Sequence, residues 1–312
     1  MYKPSFVEMN PHAPRLSCLP KIHKIGTPMR PVVSYIGAPA YKLAKKLNTL
    51  FRNKINFQPQ NTVQNSYDLV SKIRDIQVPS NAKLASFDVV SLFTNIDVPS
   101  CKDVVNGLIH QSNLSIFEKD ELCSLMSICM DQNYFLFEGK YYTQPGVAMG
   151  SPLSPLLADI YMDYLEKQIF EKFKSNNLLY WYRYVDDIII LWTGTERQLN
   201  SFKEKINSID PFIKFTLEFG GNKINFLDLS ISLISKKHDF SIYRKDTYSD
   251  ITIHSTSNHP LVHKHAAFHS MINRALSIPM NEQNLSKEKS IIKNIAASNG
   301  YGGELIDSIW NK

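Results

Sequence analysis

Three aspartates and one loop of glycines and prolines are where this sequence could do chemistry. Asp186 and Asp187 are adjacent, between the apolar runs Tyr180–Tyr184 and Ile188–Trp192. Two carboxylates held together at a tight turn repel, and one pKa rises unless a cation joins them. A divalent ion resolves that conflict, and carboxylate oxygens are ligands Mg2+ prefers. The other reading is a solvated Asp-Asp turn in a hairpin. Asp88 ends a second apolar run, LASFDVVSLF, where a lone acid is costly unless it is exposed or coordinated. Capping the following helix is an equally ordinary use of such an acid. Asp88 and Asp186 are 98 positions apart, so only the fold can bring them together. If the two runs are neighbouring strands, three carboxylates converge as two-metal phosphoryl transfer requires.

The loop is Gln144-Pro145-Gly146-Val147-Ala148-Met149-Gly150-Ser151-Pro152, directly before a long apolar-striped segment. Gly146 and Gly150 let backbone approach a ligand closely, and a helix start offers free N–H groups. An ordinary Pro-Ser helix start is the bland alternative. Lys21, Lys24 and Arg30 stand on a proline-braced stretch. Such cations suit a triphosphate, with Arg giving two parallel contacts, or form a solvated basic hairpin. His254, His259, His263, His265 and His269 fall close together, two pairs at i,i+4. No Cys and little acid accompany them, so structural or nucleic-acid contact is preferred over zinc.

These residues need a scaffold of mixed elements. Residues 1–40 are proline-rich and read as extended loop and edge strand, with a short strand at Met29–Tyr35. Tyr41–Ile55 is a basic amphipathic helix. Lys83–Val90 reads as a buried strand, Pro99–His110 and Phe117–Met130 as helices. Tyr134–Phe137 and Lys140–Thr143 flank Glu138-Gly139 as a hairpin. Ser151–Phe173 is the clearest helix, with Pro152 in its first turn. Glu196–Ser208 is another helix. Phe212–Phe219 and Ile224–Ile234 read as strands around Gly220-Gly221. Helices and strands interleave without a βαβ period or a glycine-rich nucleotide fingerprint, so the fold class is α+β.

The chain has 312 residues, 43% hydrophobic and 21% charged, with net charge +6. That fits a globular protein of one or two domains. The charge is graded along the chain: +9 over residues 1–80, −6 over 81–235 and +3 over 236–312. Basic flanks suit a polyanion and an acidic middle suits a divalent metal; scattered surface charge is the alternative. Four cysteines without a CxxC pair exclude a disulfide framework or Cys-based zinc module. Cys123 and Cys129 lie in an apolar stretch and read as buried thiols. No apolar run reaches the ~18–20 residues of a membrane span, and the start has no secretory signal.

Taken in order, these segments resemble the reverse transcriptases, and their wording is similar to that of Penelope-like retroelement enzymes, relatives of telomerase. The resemblance covers nearly the whole chain: LPKIHK with RPVVSYIGAPAY, SFDVVSLFTNI, QPGVAMGSPLSPLLADIYM, WYRYVDDIIILW, INFLDLSISL, YRKDTYSDITIHSTSNHP and a closing NGYGG. It implies a right-hand polymerase: fingers over residues 1–80, palm over 81–235 with an interleaved fingers segment at about 101–145, and a helical thumb over 236–312.

The resemblance also implies roles. Asp88, Asp186 and Asp187 are the catalytic carboxylates, holding two Mg2+ ions (Mn2+ as substitute) with the Val89 carbonyl. Phe93 is the aromatic under the sugar that excludes a 2′-hydroxyl. Lys21 and Arg30 grip the incoming triphosphate, Gln144 helps form the dNTP pocket, and Gly150 and Ser151 guide the template. Phe226, Leu227 and Asp228 form the primer-grip region. The implied activity is RNA-dependent DNA polymerase, acting inside the cell, in the nucleus. Its partners are an RNA template, a DNA primer, the RNA–DNA hybrid and dNTPs, with no membrane. A decayed or domesticated nucleic-acid-binding protein without catalysis is the second reading. Three departures stand out. Met149 replaces the Gln many reverse transcriptases carry before Gly-Ser. Neither Lys214 nor Lys223 aligns with the usual general-acid lysine. The GIY-YIG nuclease that follows in many Penelope-like proteins is not in the sequence, which reads as a fragment, a degraded copy or an endonuclease-lacking form.

Overall fold

The computed structural model describes residues 6–20 and 26–311. Its strands are β1 (Arg15–Pro20), β2 (Met29–Ser34), β3 (Lys83–Val89), β4 (Tyr134–Phe137), β5 (Lys140–Thr143), β6 (Leu178–Tyr184), β7 (Asp187–Trp192), β8 (Phe215–Gly221), β9 (Lys223–Phe226), β10 (Leu229–Ile234) and β11 (Lys237–Ile242). Its helices are α1 (Tyr41–Ile55), α2 (Ser66–Ile73), α3 (Leu92–Asn95), α4 (Val98–Gln111), α5 (Ile116–Asp131), α6 (Ser154–Lys172), α7 (Glu196–Ile206), α8 (Leu261–Ser277), α9 (Glu282–Ser298) and α10 (Gly303–Trp310). The strands form three sheets, ordered β2-β1-β4-β5, β6-β7-β3-β8 and β11-β10-β9. The chain divides into two compact units, one of residues up to 62, 87–176 and 197–217, the other of 63–86, 177–196 and 218 onward.

In the first unit, β1 and β2 form the proline-braced hairpin, paired from Arg15↔Ser34 to Pro20↔Met29. β4 and β5 close through Glu138 and Gly139, both at positive φ, as the twist of a two-residue hairpin demands. α1 buries Ala44, Leu47 and Phe51 and leaves most of its lysines outside. Asp97 caps α4 by accepting from the Ser100 N–H at 3.0 Å. Ser115 and Glu118 make a reciprocal capping box on α5. The Glu118 carboxyl is held below its usual range by the Ser115 backbone and hydroxyl donors. α6 begins at Ser154, three residues later than the pattern suggests. Residues 151–153 are instead spent on a turn, with Ser151 N–H donating to the Ala148 carbonyl at 3.0 Å. Cys101 is buried, while Cys123 and Cys129 are only partly so. Burial pushes the Cys101 thiol up to about 12 and the Cys129 thiol to about 11, which leaves both protonated and unreactive.

In the second unit, one core gathers Leu69 and Ile73 of α2, Ile189 and Leu191 of β7, Leu229 and Ile231 of β10, and Phe240 of β11. The sequence pattern suggests one strand over Ile224–Ile234; the fold breaks it at Leu227-Asp228, where Leu227 has φ 55°, and pairs Phe226 with Leu229. α2 has no counterpart in the sequence reading. It starts on an Asn65 side chain that accepts from the Asp68 N–H at 3.0 Å. α8, α9 and α10 close a separate core around Phe268, Ile272, Ile292, Ile295 and Ile306. Among the described residues, no helix is long and apolar enough to cross a membrane.

Candidate active site

The Asp-Asp pair sits at the tip of the β6–β7 hairpin in the second unit. Tyr184 pairs with Asp187, so Val185 and Asp186 are the two-residue loop. Ile188–Trp192 are all buried, so the strand has no freedom to slip, and the register fixes both aspartates at the tip. Asp186 is half-buried and Asp187 exposed. Val185 has φ 54°, an outlier for a β-branched residue. Strain of about 1–3 kcal/mol of this kind persists where surroundings over-determine the backbone. One support is Arg183, which is fully buried. Its Nη1 donates to the Val185 carbonyl at 3.4 Å, and its own carbonyl accepts from Val63 N–H at 2.8 Å. The sequence reading passed over Arg183; a cation inside the apolar run WYRY was the available signal.

Asp88 lies in the first unit, at the end of β3. Phe87 and Val89 are buried while Asp88 is exposed, as the two-residue period of a strand dictates. Phe87 packs against Phe202 and Phe215 at ring-centroid distances of 6.5 and 6.3 Å. The strand exit is tied to its neighbour: Val90 N–H donates to the Lys214 carbonyl at 2.9 Å, and Thr216 Oγ1 to the Asp88 carbonyl at 3.4 Å. Lys214 spends its ammonium on the carbonyls of Asn207 and Asp210. Phe93 follows on the short α3 and is half-buried.

The glycine-proline loop is anchored on both sides. A Cβ on Gly150 would collide with the Val33 carbonyl oxygen and crowd the Tyr35 ring, so only glycine fits beside β2. Val33, Tyr35, Ala38 and Ala148 form a small core there. Ser151 Oγ accepts from Leu153 N–H at 3.3 Å, and the Pro152 carbonyl accepts from Asn48 at 2.9 Å. Gln144 is nine-tenths buried and its Oε1 has no partner among the described residues. Lys21 lies outside the described residues, and Arg30 is described by its backbone alone, which pairs with Leu19.

Phe226, Leu227 and Asp228 belong to the second unit. Phe226 is core, and Leu227 leans on the same core from the β9–β10 turn. Asp228 accepts from Ser66 Oγ and pairs with Arg274 at 3.2 Å. It thereby ties α2 and α8 to the turn, a role the sequence reading did not contain.

The family model for reverse transcriptase (RNA-dependent DNA polymerase) matches residues 22–234, which include Asp88 and the Asp186–Asp187 hairpin. The chain belongs to the reverse transcriptase family. A second model, the animal helix-turn-helix domain, matches residues 251–311, the three-helix segment read from sequence as thumb. The structure is similar to telomerase from Candida albicans in complex with a TWJ fragment of telomeric RNA: 15% identity, TM-score 0.61, covering 100% of this chain and 57% of that one. It is also similar to apo telomerase from Candida tropicalis (14%, 0.56, 96% and 58%). BmCPV RNA-dependent RNA polymerase at its elongation state matches at 13% and 0.50, over 91% and 26%. The chain therefore spans a little over half the length of these telomerases. No curated protein matches it. The α+β, right-hand polymerase fold expected from the sequence is borne out.

In this reverse transcriptase the histidines are dispersed over local contacts. His254 Nδ1 meets Thr256 Oγ1 at 2.8 Å, His259 Nδ1 meets Ser257 Oγ at 2.6 Å, and the His265 ring packs edge-on against Tyr301. Among the described residues no three His, Cys, Asp or Glu side chains are gathered into a metal-holding group. Lys289 and Lys293 of α9 both pair with Asp307 of α10, at 2.9 and 2.7 Å.

Proposed function

We propose that this chain is the polymerase of a Penelope-like retroelement, an RNA-directed DNA polymerase that extends a DNA primer along an RNA template. The observation that carries the polymerase reading is the reverse transcriptase match over residues 22–234, which takes in Asp88, the Gln144–Ser151 loop and the Asp186–Asp187 hairpin; the Penelope-like part is supported by the wording of the sequence segments alone. The donor set is carboxylates and one backbone carbonyl, all hard oxygens, which suits Mg2+. On the motif match, and not on a gathered carboxylate cluster, Asp88, Asp186, Asp187 and the Val89 carbonyl would hold two such ions, with Mn2+ as a substitute. Bound there, the ions supply Lewis acidity at the attacking and leaving oxygens of phosphoryl transfer.

The protein's own groups do the rest. Lys21 and Arg30 bind the triphosphate, and Arg offers a planar fork to its oxygens. The Phe93 ring lies under the sugar and leaves no room for a 2′-hydroxyl, so dNTPs are taken and rNTPs refused. Gln144 contributes to the dNTP pocket, Gly150 and Ser151 guide the template, and Phe226–Asp228 hold the primer end in place. Residues 1–80 act as fingers and 81–235 as palm, with about 101–145 interleaved as fingers. Residues 236–312 act as thumb. The helix-turn-helix match over 251–311 supports giving that last segment the product duplex. The site of action is the nucleus.

The test is primer extension on RNA and DNA templates with Mg2+ and dNTPs. Asp186→Ala should abolish extension while leaving the thermal melt near wild type, and chelation of Mg2+ should do the same reversibly. Unchanged extension by Asp186→Ala would sink the assignment. Tight RNA–DNA binding by wild type with no extension under any metal would instead establish the non-catalytic reading.

A further inference from the structure

A steric gate at Phe93 works only if its ring is held at a fixed height. Phe93 sits on a single turn of helix, too short to be rigid by itself. Its backbone is fastened from the loop preceding α6: Val147 N–H donates to the Phe93 carbonyl at 2.7 Å. Gly146 presses on the same place, since a Cβ there would collide with the Phe93 carbonyl and the Thr94 backbone, and its φ is +69°. That loop is in turn clamped by one side chain. Asn133 Nδ2 donates to the carbonyl of Gln144 at 2.6 Å and to the carbonyl of Gly146. The Asn133 carbonyl also accepts from Gln144 N–H at 2.8 Å. All these residues belong to the first unit.

Asn133 is nine-tenths buried, and its Oδ1 has no partner among the described residues. The two carbonyls around Nδ2 fix which end of the amide faces the loop. A buried acceptor without a partner is costly, so a purely apolar filler would serve packing better. What an apolar residue would not supply is the double donor that binds residues 144 and 146 together. We propose that Asn133 is a positioning residue for sugar selection: it locks the Gln144–Val147 loop, and the loop locks the Phe93 backbone. The inference rests on the proposed polymerase activity and on the gate role of Phe93.

The test compares kcat/KM for a dNTP and its rNTP counterpart in primer extension. Asn133→Asp keeps the volume and loses both donors. It should lower the dNTP/rNTP ratio about 5–10-fold, the order of one or two lost hydrogen bonds, with a smaller change in kcat/KM for the dNTP. Gly146→Ala, which disturbs the loop from the Phe93 side, should shift the ratio in the same direction and serves if Asn133→Asp folds poorly. In a Phe93→Ala background the gate is already gone, so adding Asn133→Asp should not change the ratio further. Equal loss of dNTP and rNTP incorporation in both loop variants would reduce Asn133 to packing and overturn the inference. So would a ratio shift that persists undiminished in the Phe93→Ala background. A different outcome separates the underlying reading: wild type that extends primers but shows the same ratio as Phe93→Ala removes Phe93 as the gate, and the inference with it.

Discussion

Replacing His238 with glutamine should remove an acid-sensitive share of the stability of the second unit. His238 lies on β11, buried, with its Nε2 3.2 Å from the Tyr180 hydroxyl and its ring stacked on Phe240. Among the described residues its Nδ1 has no partner in hydrogen-bonding geometry. Burial pushes its pKa from 6.5 down to about 4, with the nearby Ile73 carbonyl pulling weakly the other way. Between those values the unfolded chain is protonated and the folded ring is not. The unfolded state then binds more protons, so stability is full above about pH 6.5 and is lost as pH falls toward 4. Such a shift has a ceiling of about 3 kcal/mol. Residual hydration of the ring cuts this to about 1.5–2 kcal/mol. His238→Gln keeps an acceptor for Tyr180 and does not titrate. Urea unfolding followed by tryptophan fluorescence suits the test, because Trp181, Trp192 and Trp310 all lie in this unit. The stability difference between wild type and variant should move by about 1.5–2 kcal/mol between about pH 7 and about pH 4.5, against the wild type at low pH. A difference that stays constant over that range, or moves in the wild type's favour, would refute the reasoning.

Two further perturbations address the packing of each unit. Arg244 and Glu288 form a buried two-pronged pair, with side-chain exposures of 15% and 4%. Arg244→Ala should cost about 3–5 kcal/mol by leaving the glutamate charge alone, and Arg244→Met with Glu288→Leu should restore most of it; a chemical denaturation series on the three proteins checks this. Gly150→Ala pushes a methyl into the Val33 carbonyl. It should cost about 1–3 kcal/mol of stability in the first unit and slow primer extension by shifting the loop; wild-type values of both would show that β2 yields without cost.

Much of the fold was legible because its signals are local. The β6–β7 hairpin, α1, α5 and the β4–β5 turn follow from apolar periodicity and turn residues within a few positions of one another. α2 was equally local, since Asn65 with Asp68 is a helix-start signal, yet eight residues gave too little periodicity to stand out. The break of Ile224–Ile234 at Leu227-Asp228 was not legible: the residue at positive φ is Leu227, which is no turn former, and the run reads as continuous until β10 pairs with β9 on one side and β11 on the other.

The sequence by itself determined the residue types, their order and their place on elements: an acid at a strand end, two acids at a hairpin tip, a glycine-bearing loop before a long helix. Those follow from backbone preference and burial period, which act over a few residues. Tertiary structure alone decided which side chains support them. Arg183 beneath the Val185 carbonyl, Asp228 between Ser66 and Arg274, and Asn133 across the Gln144–Gly146 loop are polar contacts chosen by geometry rather than by periodicity. Asp228 meets its partners 162 and 46 positions away. A hydrogen bond needs its partners placed to within a few tenths of an ångström, and only the packed cores around it fix the backbone to that tolerance.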